Sequence, residues 1–110
     1  MDVERLLNEY RSLEVPYSEA RKKRNYKEEY KKTLLALLMK EAERKGASSV
    51  SAQERDAYAN PQYPEYLLEI STAVAEEELK RMQVKRVELE IEVWRTLQAN
   101  ERMERKSYGA

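Results

Sequence analysis

The chain has 110 residues, 41% hydrophobic and 38% charged, with 21 basic and 21 acidic side chains, two glycines, three prolines and neither cysteine nor histidine. That length holds one domain at most. Disulfides, thiolate metal sites and imidazole chemistry are excluded, a shortage of turn residues argues against a sheet, and a formal net charge of zero gives no whole-protein case for nucleic acid or membrane.

Val3, Leu6, Leu7, Tyr10 and Leu13 fall at helical spacing and open a first segment. Pro16 interrupts it, because the residue before a proline is pushed out of the α region. The apolar phase nevertheless continues through residues 17 and 20 to 34 and 38. The expectation is a helix over residues 1–45, kinked or barely broken at Pro16, with two helices broken near Pro16 as the alternative, stopped by Gly46 with Lys40, Arg44 and Lys45 near the negative end of its dipole.

Residues 46–63 read as a turn, a short helix and a Pro-rich break. Ser51-Ala-Gln-Glu54 has the pattern of a capping box, which places the short helix at Ala52 to Ala59. Asn60-Pro61-Gln62-Tyr63-Pro64 breaks the chain, and Pro64 suits the first turn of a new helix.

Residues 64–108 contain no Gly and no Pro after Pro64, so one long helix is predicted there. Its apolar residues make two stripes. Ile70, Ala73, Val84, Val87, Ile91 and Trp94 form one, weakened at Glu77, Lys80 and Arg81. Leu68, Ala75, Leu79, Met82, Leu89, Val93 and Leu97 form the second, on nearly the opposite side. One stripe can pack on the N-terminal helix and the other is left over. The predicted fold is therefore all-α: an antiparallel long-helix hairpin with a short connecting helix, self-associating into a coiled-coil-like bundle. A dimer through Leu68, Leu79, Met82, Leu89, Val93 and Leu97, in a four-helix arrangement, satisfies both stripes.

Charge is unevenly spread. Residues 1–45 carry net +3, residues 46–79 net −6 and residues 80–110 net +3. Arg21, Lys23, Arg24, Lys27 and Lys31, with Tyr26 and Tyr30 between them, form the strongest candidate nucleic-acid contact. Basic groups neutralise phosphates and aromatics stack on unpaired bases. The competing explanation is a solvated face held by i,i+4 pairs such as Glu19–Lys23, Arg24–Glu28 and Glu28–Lys32. Arg102 and Arg105 in the C-terminal tail are further nucleic-acid candidates, set against a charged helix end that complements the dipole. Glu76, Glu77 and Glu78 point in different directions on a helix and do not converge on one cation; solvation and pairing with Lys80 and Arg81 account for them. Trp94 reads as a core residue, with an interface anchor as the alternative. No nucleophile–base pair, phosphate loop or ligand spacing is present, so no enzyme, cofactor or metal is expected.

The block Glu92-Val-Trp-Arg-Thr-Leu-Gln-Ala-Asn-Glu-Arg resembles the end of a group of short helical proteins encoded by tailed bacteriophages and prophages. So do the middle segment Ser49-Val-Ser-Ala-Gln-Glu-Arg-Asp-Ala-Tyr-Ala, the following Pro64-Glu-Tyr66 and the basic helix over residues 20–45. The similarity covers residues 20–105, and the chain departs from the pattern at Pro16 and in its charged N-terminus. Genes of this kind resemble neighbours of phage recombination and single-strand-binding genes. The resemblance implies an accessory role near DNA metabolism, with phage or host protein partners, and brings no catalytic residues.

The expected function is a non-catalytic accessory or adaptor protein working through helical protein–protein contacts, with direct nucleic-acid binding as the alternative. The charged N-terminus lacks the apolar core of a signal peptide, and no apolar run is long enough to span a bilayer. No membrane partner is expected, and the cytoplasm of a bacterial host is the expected location.

Overall fold

The structure, a computed structural model, describes residues 2–109. These residues form four α-helices and no strand: α1 (Val3–Ser12), α2 (Glu14–Arg44), α3 (Val50–Ala59) and α4 (Gln62–Gly109). The chain is all-α. None of the helices is long and apolar enough to cross a membrane.

Each boundary has a local cause. Asp2 caps α1, its Oδ1 accepting the Arg5 N–H at 3.2 Å. The expected discontinuity in the first helix is small and falls at Leu13, three residues ahead of Pro16. Leu13 keeps near-helical angles, and its carbonyl still accepts the Tyr17 N–H at 3.0 Å. Pro16 is the third residue of α2 and Pro64 the third residue of α4. In a first turn the backbone N–H has no intrahelical acceptor, so the proline ring costs no hydrogen bond.

The C-terminus of α2 closes in a Schellman motif. Gly46 N–H donates to the Glu43 carbonyl at 3.1 Å and Ala47 N–H to the Ala42 carbonyl at 3.0 Å, with Gly46 at φ 114°.

Two boundaries differ from the sequence reading. The cap of α3 is Ser49, not Ser51: the Ser49 hydroxyl accepts the Ala52 N–H at 3.1 Å. Starting two residues earlier adds the Gln53 N–H to Ser49 carbonyl bond and lets the Gln53 side chain donate to the Ala47 carbonyl, both within hydrogen-bonding distance. No capping box forms, because the third residue of this earlier start is Ala52. The long helix begins at Gln62 rather than Pro64, since Asn60 Oδ1 accepts the Gln62 N–H at 2.9 Å and the Asn60 carbonyl accepts that of Tyr63 at 3.0 Å.

The helices group into two compact units, and α4 contributes to both. One unit holds the described residues through Ser18 and those from Glu78 onward. Its core is Leu6 of α1 against Val87 and Ile91 of α4, with Leu13 packed on them.

The other unit is Glu19–Glu77. Its buried residues are Ala20, Leu38 and Ala42 of α2, Ala57 of α3, and Ala73 and Glu77 of α4. Alanine at four of these six positions lets the helices approach closely with little apolar area. Within this unit α2 and α4 run antiparallel: Arg21 pairs with Glu77, Lys23 with Glu76 and Lys27 with Glu69, rising along one helix and falling along the other.

Along α4, every residue in the phase 66, 70, 73, 77, 80, 84, 87, 91, 94 and 98 is buried or half-buried. That is an unbroken heptad spacing. The first stripe of the sequence reading therefore runs straight through its apparent interruptions at Glu77 and Lys80.

Candidate nucleic-acid face and apolar stripe

The basic residues of α2 are held by carboxylates of α4. Arg24 Nε lies 2.7 Å from Glu77 Oε2, and Arg21 Nε lies 3.7 Å from Glu77 Oε1. Lys23 Nζ is 3.5 Å from Glu76 and Lys27 Nζ is 3.2 Å from Glu69. These contacts cross between helices, in place of the i,i+4 pairs along α2 that the sequence suggests. The structure thus brings four of the five candidate phosphate contacts on α2 together, but against an acidic strip. Lys31 stays exposed.

Glu77 is the acidic residue buried on the seam, at 9% exposure. A carboxylate there is tolerable only because two guanidiniums replace its lost water. The Arg24 Nε contact is a close ion pair without an aligned N–H···O hydrogen bond. Glu78, by contrast, pairs along its own helix with Arg81, and that contact holds its carboxyl below the usual range.

The tyrosines are likewise drawn into the helix pair. Tyr30 stands between Tyr26, stacked at 5.9 Å, and Tyr66 of α4, tilted at 5.8 Å. The Tyr66 hydroxyl donates to the Lys27 carbonyl, and Lys27 Nζ sits 5.9 Å over the Tyr66 ring. Burial, followed by the nearby Glu69 charge, raises the Tyr66 pKa. Tyr26 keeps most of its surface exposed. Of the two aromatic candidates for base stacking, one is a packing residue and one is open.

Arg102 and Arg105 are exposed near the end of α4, with Arg105 3.2 Å from Glu101. They belong to the unit that does not contain the Arg21–Lys31 set.

The second stripe is bare. Leu68, Leu79, Met82, Leu89, Val93 and Leu97 are all exposed, each by half or more. Met82, Leu89 and Val93, with the stems of Lys85 and Arg86 and with Glu90, line a shallow apolar groove. A second groove runs between Leu7 and Tyr10 of α1 and Leu89 and Ile91 of α4, edged by Lys85, Glu92 and Arg95. Arg86 is held at this surface by Glu9 of α1 and by Glu90, 3.3 Å away, and both raise its pKa.

Among the described residues no group of three or more acidic side chains converges on a cation position. Two residues escaped the sequence reading: Glu77 as a paired seam residue, and Tyr66 as a cross-helix anchor. Both lie in heptad phase with Ile70 and Ala73, and that phase is the signal that marks them.

Comparison with family models, with curated proteins and with solved structures finds no match. The roles assigned to these residues accordingly rest on their own geometry.

Proposed function

We propose that this protein is a non-catalytic helical adaptor that works through protein–protein contact along the exposed apolar face of α4. The observation that carries this reading is the row of half-exposed leucine, methionine and valine side chains from Leu79 to Leu97. Contiguous exposed apolar surface on a helix is costly in water and marks a contact site. The resemblance of residues 20–105 to small phage-encoded helical proteins supports an accessory role near DNA metabolism in a bacterial cytoplasm.

The engagement of Arg21, Lys23, Arg24 and Lys27 by Glu69, Glu76 and Glu77 speaks against direct nucleic-acid binding, since those carboxylates would repel incoming phosphates. Fluorescence polarisation of labelled single- and double-stranded oligonucleotides, titrated at low and physiological salt, tests this. Flat curves are expected. Binding that weakens steeply with salt, and that is lost when Lys31 and Lys27 become Gln, would replace the adaptor reading with a nucleic-acid binder.

A further inference from the structure

The exposed face of α4 between Leu79 and Thr96 has a pattern that selects its own occupant. Leu79, Arg86 and Val93 alternate with Met82, Leu89 and Thr96 at heptad spacing. Lys85 and Glu92 flank this row on one side, and Gln83 and Glu90 on the other. All belong to one compact unit.

We infer that this face receives the same face of a second copy of the chain, running antiparallel, with Lys85 of each copy against Glu92 of the other. The inference rests on the adaptor reading only in requiring the stripe to be a contact surface.

Charge chooses the direction and the register. In the antiparallel register that layers Met82 on Val93 of the second copy, Arg86 meets Leu89 and Leu79 meets Thr96. The flanking pairs are then Lys85–Glu92 twice on one side and the uncharged–charged pair Gln83–Glu90 twice on the other. Sliding one heptad in either direction sets Lys85 against Lys85 and Glu78 against Glu92, or Glu92 against Glu92. Like charges there disfavour both slides. A parallel pair in register keeps a Lys85–Glu90 attraction but stacks Arg86 on Arg86 in its central layer. The first register has no like charges in its flanking pairs, and it sets the two Arg86 residues in adjacent layers rather than in one layer, each with Glu9 and Glu90 beside it. Arg86 is also anchored from the side by Glu9 and Glu90, which leaves its stem to cover Leu89. The contact is isologous and closes as a dimer.

Sedimentation equilibrium of the full chain gives the mass, and wild type is expected at twice 13.1 kDa in the micromolar range. Lys85→Glu alone, and Glu92→Lys alone, are each expected to weaken dimerisation roughly fivefold, because each removes two exposed ion pairs and adds repulsion. The double variant K85E/E92K restores it. Both positions are exposed, so the monomer fold is kept, which circular dichroism checks. Because the chain has no cysteine, Met82→Cys and Val93→Cys report geometry: mixed variants form an intermolecular disulfide under mild oxidation and neither variant does so alone. A wild-type monomer throughout the micromolar range, failure of the charge swap to restore dimerisation, or a disulfide within Met82→Cys alone would each overturn the inference. A monomer that also stays silent towards oligonucleotides sinks the dimer while leaving the adaptor reading in place; salt-dependent oligonucleotide binding sinks the adaptor reading whatever the mass.

Discussion

Glu77 of α4 and Arg24 of α2 face each other at 2.7 Å across the helix pair, with the carboxylate on the seam and the guanidinium partly open to solvent. A charge at a seam position is stabilising only while its partner is present. Glu77→Gln keeps the shape but strips the charge from between Arg21 and Arg24. It should cost about 1–2 kcal/mol, discounted for the solvent that reaches Arg24. Glu76→Gln, one residue away with a half-exposed pair to Lys23, should cost no more than about 0.5 kcal/mol. Urea midpoints of the two variants separate the cases, and equal losses would deny Glu77 its special place.

Leu6 is the α1 contribution to the Leu6–Val87–Ile91 cluster. Leu6→Ala should destabilise by about 2–3 kcal/mol, since a cluster this small cannot refill the space. Hydrogen exchange of α1 amides provides the readout: their protection should fall to that of an unpacked helix. Unchanged protection would mean that α1 is held by something other than this cluster.

Gly46 adopts φ 114°, and nothing lies within 4 Å of where a Cβ would stand. The cost of Gly46→Ala is therefore purely that of the left-handed backbone, about 1 kcal/mol. Thermal unfolding should show a modest fall in midpoint. A neutral result would mean the Schellman turn is not kept in solution.

Tyr66 holds its proton more tightly in the fold than in the unfolded chain, because burial and then Glu69 penalise its anion. Its contribution is fully present below the unfolded tyrosine pKa. As pH rises through that value the unfolded chain binds fewer protons than the native one, so stability falls. Tyr66→Phe should lose about 0.5–1.5 kcal/mol at neutral pH with the hydroxyl to Lys27 carbonyl bond, and should flatten the alkaline fall. Tyrosinate absorbance during alkaline titration checks it: the part of the rise that lies above the ordinary tyrosine range should be lost in the variant.

Helix identities were legible from spacing alone, since a 3/4 apolar rhythm and two proline-containing breaks leave few alternatives. Boundaries were less so. Ser49 and Ser51 are equally good caps by residue type, and the choice turned on Gln53 reaching the Ala47 carbonyl, a contact that exists only after folding. Glu77 looked like a gap in a seam because its partners lie more than fifty residues away in sequence. The basic run on α2 looked like a phosphate site for the same reason: its neutralising carboxylates sit on another helix. The apolar stripe needed no such information, because exposure follows from its angle to the packed face.

The alanine-lined interior of the Glu19–Glu77 unit has a calorimetric consequence. Unfolding heat capacity scales with newly hydrated apolar surface, and Ala20, Ala42, Ala57 and Ala73 release little of it, while Leu68 is already hydrated. The heat-capacity increment should fall below the roughly 12–15 cal/mol/K per residue usual for folded domains. A smaller increment flattens the dependence of stability on temperature, so this unit weakens slowly on both cooling and warming.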